Sequence, residues 1–546
     1  MEKSILIGGE AGQGSAVTSR FIAKVFCRLG YYVFNYRDYP SLIRGGHNFN
    51  ILRVSDKQIY SNNEKYDIIL ALNQKTIDLH QKNLDKNGFI FADKNLKSKK
   101  IFPLDMAPIL KNLGGPKILE NDILIGSFFK YFGVDKKFVF EEASKEFGVK
   151  AELIIKAIDE GYNLVEIKEK LKAQKAGKYF ISGAEGVGIG ALAAGIDVYF
   201  AYPMTPATSL LNFFAKKQQA HNILVSQMDD EITVANAAIS ASFGGARSMV
   251  GSSGGGFALM TEAMSMAGMS EMPLVVYMAQ RGAPSTGIPT YTEQGDLKFI
   301  LNCGQGEFVR VVVAPGDPQE AIIRTQEAFY LSSKYNTLAF VMSDKHLAES
   351  DYSFEKLKQS SISNQRFILQ NSPVDYKSYK ITTNGVSPRA LPGQGSVVRG
   401  TSYEHNEYGN TVEDAKSIAE MKEKRLKKIK YIEQEVQKLK SATVYGKGAN
   451  LIIGWGSTKG AILDALPDLK GYRFLQISYI KPFPKELVKK EIKKSKKIIL
   501  IENNATGLLG EVIAEETGIF IENKILKYDG RPFTPEFLIG KIKNKR

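Results

Sequence analysis

Four short clusters between residues 202 and 287 set Gly and Pro beside isolated polar side chains. They are Tyr202-Pro203-Met204-Thr205-Pro206, Asp229-Asp230-Glu231, Ser252-Ser253-Gly254-Gly255-Gly256 and Gln280-Arg281-Gly282-Ala283-Pro284-Ser285-Thr286-Gly287. A carboxylate such as Glu231 can exchange a proton with a ring base. Arg281 offers a planar fork to an anionic carboxylate, and the Thr205 hydroxyl adds a neutral donor. Each also has a plain structural alternative. The acidic triplet can cap the Ala-rich segment from Thr233 to Phe243, Thr205 can close a turn between two prolines, and Arg281 can be a surface residue on a glycine loop.

The runs ahead of these clusters, Val198 to Ala201, Ile223 to Ser226, Ser248 to Gly251 and Leu274 to Ala279, have the apolar character of buried parallel strands. The carboxyl ends of such strands are where open α/β sheets bind ligands. Upstream, Ser4 to Ile7 leads through Gly8-Gly9-Glu10-Ala11-Gly12-Gln13-Gly14-Ser15 into a helix ending near Leu29 and a strand from Tyr31 to Asn35, the opening of a doubly wound sheet. The glycines follow neither the dinucleotide fingerprint nor a P-loop. They form either a phosphate-receiving helix N-terminus or a tight turn. A second unit opens with Lys178 to Ser182 and a glycine turn, Gly183 to Gly190. The expected organisation is α/β and multidomain, with doubly wound, mostly parallel sheets: residues 1–175, 178–350 and 447–546, with an irregular connection and a basic helix over 351–446.

At 546 residues, 43% hydrophobic and 24% charged, the chain is a multidomain globular protein rather than a single core. The net charge of +15 is concentrated. Met421 to Lys440 and Lys485 to Lys497 each carry five more basic than acidic residues, on segments with apolar residues at helical spacing, which predicts amphipathic helices with solvated lysine faces rather than a nucleic-acid surface. Two cysteines, Cys27 and Cys303, cannot supply a four-thiolate cluster and read as packed side chains. No apolar run approaches the ~20 residues needed to span a bilayer. The sequence therefore predicts a cytoplasmic protein with neither membrane nor nucleic-acid partner.

Together with Gly183 to Gly195 and Ser253 to Met260, the four clusters resemble the alpha subunit of the 2-oxoacid:ferredoxin oxidoreductases. Gly8 to Gly14, Arg44-Gly45-Gly46 and Asn121 to Gly126 are similar to that family's gamma subunit, fused ahead of alpha. Ser387 to Gly393, Glu404-His405-Asn406-Glu407, Lys481 to Pro484 and Glu502-Asn503-Asn504 extend the resemblance along nearly the whole chain. Two motifs depart by one residue each: Ser253-Gly254-Gly255-Gly256 stands where the family commonly has Ser-Gly-Pro-Gly, and Gly507-Leu508 where it has Gly-Gln.

The resemblance implies a gamma-like domain, a thiamine-diphosphate pyrimidine-type domain and a transketolase C-terminal-like domain. The implied reaction is coenzyme A-dependent oxidative decarboxylation of 2-oxoglutarate or a broader set of 2-oxoacids, with reduction of ferredoxin. Glu231 then takes the catalytic carboxylate's place at the thiamine pyrimidine, with Tyr202, Pro203 and Ser253 on the thiamine side. Thr205 and Arg281 bind substrate, and Gly12, Gly14 and Arg44 are placed for coenzyme A. The sequence has no Gly-Asp-Gly magnesium motif. The chain itself is therefore expected to hold no metal, and a beta subunit is expected to supply Mg2+, the diphosphate site and a [4Fe-4S] cluster in a heterodimer or dimer of heterodimers. Branched-chain or indolepyruvate oxidoreductases are rivals within the class. A non-catalytic nucleotide- or nucleic-acid-binding α/β protein is the rival outside it.

Overall fold

The computed structural model describes residues 1–42, 45–172, 174 and 177–544. It divides into two compact units, one of residues 1–181, 350–357 and 534–546, the other of residues 182–349 and 358–533. Among the described residues helices alternate with strands in three sheets of eight, seven and five strands, and most strand pairs are parallel.

In the first unit the strand Glu2–Ala11 leads into the helix Ser15–Arg28. The expected turn begins later than Gly8, because Gly8 and Gly9 lie within the strand, where an added Cβ at Gly8 would meet Thr76 at 2.6 Å. The reversal is made by Gly12 and Gly14, with φ of 92° and 80°, a left-handed conformation that favours glycine. This sheet is not uniformly parallel. Gly45–Ser55 lies between Glu2–Ala11 and Tyr32–Asp38 and runs antiparallel to both. The link from Asp38 to Gly45 is too short for the crossover of a dozen or more residues that parallel neighbours need. The strand Asp351–Phe354 joins the same sheet against Tyr32–Asp38.

The second unit carries the seven-stranded sheet, in the order Tyr479–Lys481, Arg310–Val313, Leu338–Asp344, Leu274–Gln280, Ser248–Ser252, Val198–Ala201, Leu224–Gln227. Its central strands are apolar on both faces and fully buried. The chain passes from Val198–Ala201 outward to the edge at Leu224–Gln227, then returns to the other side at Ser248–Ser252, which creates a topological switch point at the Val198–Ala201 strand. Gly183 to Gly190 is not a turn. The helix Gly183–Ala193 begins at Gly183, with Ser182 and Glu185 forming a capping box. An added Cβ at Gly183, Gly186 or Gly190 would come within 2.2–2.5 Å of a backbone carbonyl of Leu347, Pro318 or Ile322, so these glycines serve close packing.

The five-stranded sheet centres on Asn450–Trp455, parallel to both Tyr472–Ile477 and Lys497–Glu502. Its core merges with that of the seven-stranded sheet through Leu451, Ile453 and Trp455. Residues 355–414 contain only isolated bridges. The basic helix follows as Ala415–Gln437, but its lysine face is only partly solvated. Lys422, Lys427 and Lys430 are exposed, whereas Lys424 and Lys428 are buried and both pair with Glu271. Periodicity marks the apolar stripe but not a carboxylate waiting opposite it. Both cysteines are buried and free, and among the described residues no helix is long and apolar enough to cross a membrane.

Candidate active site

All four polar clusters stand at the carboxyl ends of strands in the seven-stranded sheet, around its switch point. Asp230 is the N-cap of the helix Glu231–Phe243, its side chain accepting from the Thr233 N–H at 2.7 Å. Capping therefore belongs to Asp230, and Glu231 turns inward, 3% exposed. Ser252 Oγ donates to Glu231 Oε1 at 3.5 Å. The helix Gly254–Met269 crosses above them at Gly256, where an added Cβ would come within 2.1 Å of Glu231 Oε1 and 2.3 Å of Ser252 Oγ. The glycine leaves a cradle over the carboxylate.

Arg281 directly follows the strand Leu274–Gln280. Its Nη1 donates to the Thr205 carbonyl oxygen at 2.7 Å, so the two sequence-expected substrate residues meet, through the backbone rather than the Thr205 hydroxyl. Arg281 is buried, and its Nε has no hydrogen-bond partner. Burial draws the guanidinium below its usual pKa, against the pull of Asp296. Ser253 stands at the N-cap of Gly254–Met269 without making a capping bond, and its fully buried hydroxyl has no partner. Tyr202 and Pro203 are exposed beside Thr205.

Asp296 belongs to this site although sequence reasoning passed over it. It is buried, its N–H donates to Gln280 Oε1 at 3.0 Å, and its Oδ2 has no partner. Burial, and then Glu293, push its carboxyl up to about 6, while Arg281 opposes the rise. Glu293 Oε2 in turn accepts from the Ala283 N–H at 3.1 Å, and burial raises that carboxyl too. The only signal was an acidic, glycine-containing stretch, Glu293-Gln294-Gly295-Asp296, with no periodicity to mark it. Gln294 anchors this stretch to the five-stranded sheet. Its Nε2 donates to the Trp455 carbonyl at 3.0 Å, its Oε1 accepts from the Asn503 N–H at 2.9 Å, and Asn504 Nδ2 donates to its carbonyl at 3.0 Å. The Glu502-Asn503-Asn504 motif thus helps to position the loop that carries Asp296.

Among the described residues Ser253 Oγ, Arg281 Nε and Asp296 Oδ2 are buried polar atoms without partners, at the same strand ends and loops that carry the buried Glu231 carboxylate under its glycine cradle. Buried polar groups are ordinarily satisfied, so the set fits a ligand that brings its own donors and acceptors. A ring base can face Glu231 and a carboxylate can face Arg281. Among the described residues no three His, Cys, Asp or Glu side chains gather into a metal-holding group.

Gly12 and Gly14 belong to the other unit, and Arg44 lies outside the described residues. Beside Gly14 opens a largely apolar cavity of about 670 Å³, whose wall includes Ile118, Asn121, Asp122 and Leu153. Asn121 Nδ2 donates to the Gln13 carbonyl at 2.7 Å and so fixes the glycine turn, and burial pushes Asp122 up to about 7.

Residues 189–424 match the family described as pyruvate flavodoxin/ferredoxin oxidoreductase, thiamine diphosphate-binding, and residues 4–164 match pyruvate ferredoxin/flavodoxin oxidoreductase. The chain is 31% identical to the 2-oxoacid:ferredoxin oxidoreductase subunit alpha of Sulfolobus sp, over 98% of this chain and 95% of that protein. It is 28% identical to the 2-oxoglutarate synthase subunit KorA of Methanothermobacter marburgensis, over 67% of this chain and 98% of the relative. The structure is similar to that of a 2-oxoglutarate:ferredoxin oxidoreductase from Magnetococcus marinus with 2-oxoglutarate, coenzyme A and succinyl-CoA bound. The TM-score is 0.88, with 27% identity over 100% of this chain and 99% of the other.

Proposed function

The chain belongs to the 2-oxoacid:ferredoxin oxidoreductase family as an alpha subunit, and from that premise we propose that it catalyses coenzyme A-dependent oxidative decarboxylation of a 2-oxoacid together with a beta subunit. The 2-oxoacid and coenzyme A give acyl-CoA and carbon dioxide, and two electrons pass to ferredoxin. We favour 2-oxoglutarate or a broad set of 2-oxoacids as substrate, in keeping with the KorA relatives and the similar enzyme that holds 2-oxoglutarate. The observation that carries this reading is the meeting of Arg281 with Thr205 at strand ends next to the cradled Glu231.

In this reading Arg281 receives the substrate carboxylate and the Thr205 hydroxyl orients it. Thiamine diphosphate, when bound, supplies the electron sink for decarboxylation. Glu231 holds the pyrimidine side and passes a proton at its carboxyl oxygen, while Tyr202, Pro203 and Ser253 wall that side. The low-dielectric setting strengthens each of these contacts. Coenzyme A is assigned to the gamma-like region through Gly12, Gly14 and Arg44.

The beta subunit is assigned Mg2+, the diphosphate contacts and a [4Fe-4S] cluster, in a heterodimer or a dimer of heterodimers. Tyr202, Ile232, Leu259 and Ile288 are large apolar residues left exposed on the segments that carry the site, which supports a covering partner. The test is co-expression with the beta subunit, followed by an anaerobic assay of ferredoxin reduction. Reduction that requires both chains, a 2-oxoacid and coenzyme A is expected. No reduction across a panel of 2-oxoacids by the intact complex would reject the proposal.

A further inference from the structure

Arg281 and Asp296 are buried neighbours of opposite charge, each acting on the other's protonation, yet they form no salt bridge. Among the described residues Arg281 Nε and Asp296 Oδ2 both remain without partners. Gly254, at the start of the helix Gly254–Met269, leaves the space beside the carboxylate open, since an added Cβ there would lie 3.0 Å from Asp296 Oδ2. Asp296 is held in place by its own N–H on Gln280 Oε1 and by the pinning of Gln294. An acid and a base kept buried and apart invite a third charged group beside them.

We propose that Asp296 sets the charge that the substrate carboxylate meets at Arg281: protonated, it leaves the guanidinium uncompensated and adds an O–H donor, and ionised, it cancels that charge. The proposal rests on the reading that Arg281 receives the 2-oxoacid carboxylate. The charged groups facing Asp296 are Arg281 from the strand end and Glu293 from its own loop; Gln280, the N-terminus of Gly254–Met269 and the short helix Leu297–Leu301, whose N-cap is Asp296 itself, also border it. With burial and Glu293 pushing the free carboxyl up to about 6, the site at neutral pH takes up a proton as the anionic substrate binds. It returns that proton when the carboxylate has left as carbon dioxide.

The experiment measures KM for the 2-oxoacid against pH from 5.5 to 8, at saturating coenzyme A, on the assembled complex. In the wild type KM rises with pH, by roughly tenfold per unit above about pH 7. The near-isosteric Asp296→Asn cannot ionise, so its KM stays flat over the same range. A wild-type KM that does not change with pH overturns the proposal without any variant. An Asp296→Asn enzyme that keeps the wild-type slope overturns it as well. Arg281→Ala separates the two levels. An unchanged KM in that variant rejects the carboxylate-binding reading itself, whereas a raised KM together with an unaltered slope in Asp296→Asn rejects the role of Asp296 alone.

Discussion

Glu231 and Asp230 are adjacent acidic residues with opposite fates, decided by helix geometry. The N-cap position gives Asp230 a backbone N–H to accept, and the first helical position turns Glu231 into the crevice beneath Gly256. If Glu231 passes a proton to the cofactor's pyrimidine, Glu231→Gln keeps the shape and removes the proton. We expect turnover of the assembled complex to fall by a factor on the order of a hundred or more, within the usual span for a lost general acid or base. Subunit association and thermal unfolding should stay as in the wild type; near-normal turnover would remove Glu231 from the chemistry. In their placing Thr205, Glu231 and Arg281 were legible in the sequence because each follows a short apolar run, so strand topology gathers them, while the roles given to them rest on the family resemblance. Asp296 was not, because it reaches Arg281 through an irregular Gly- and Pro-rich loop whose path depends on Gln294 binding a different sheet.

Among the elements, strand ends were easier to read than helix packing. The four apolar runs became parallel strands within a residue or two of their expected limits, but only three are buried: Leu224–Gln227 is the edge strand, with Leu224 and Gln227 exposed, because a short apolar run does not tell an edge strand from a central one. Glycines were harder, because the same residue serves a turn, a cradle and a tight helix contact. The motif from Asn121 to Gly126 shows the last of these. Gly126, on the helix Glu120–Tyr131, faces Gly161 on the helix Ala151–Asn163. An added Cβ at Gly126 would stand 2.0 Å from the Ile158 carbonyl oxygen, and one at Gly161 would stand 2.1 Å from that of Ile123. Backbone cannot give way as a side chain can, so Gly126→Ala must push the helices apart. Overpacking of this kind costs about 1–3 kcal/mol. A matching fall in the midpoint of urea unfolding is expected, and an unchanged midpoint would mean that the helices separate freely.

Across the whole molecule, much of the surplus of positive charge lies on two lysine-rich helices, Ala415–Gln437, whose buried Lys424 and Lys428 share the carboxylate of Glu271, and Lys485–Lys493, which buries no lysine, whereas several acids are buried with little or no cationic help. Glu271 illustrates the first case. Lys428 and Lys424 hold its carboxyl down to about 2 despite full burial, so its contribution to stability is present above the ordinary glutamate range and is lost as pH falls toward 2. Glu502 illustrates the second. It accepts from Trp455 Nε1, Asn504 Nδ2 and the Leu509 N–H, yet burial outweighs these donors and raises its carboxyl to about 7. In the unfolded chain the group ionises near its ordinary 4.5, while the folded protein keeps the proton until about 7. The unfolded state therefore binds fewer protons through this interval, and stability falls as pH rises across it. The nominal cost, taken from the size of the shift, is on the order of 3 kcal/mol. Glu502→Gln preserves an oxygen for the donors and removes the ionisation, so its thermal midpoint should decline less than the wild type's between pH 5 and 7.5. The two curves should differ most at the alkaline end. Parallel curves would place the proton elsewhere and leave Glu502 ionised throughout, its three donors having outweighed its burial.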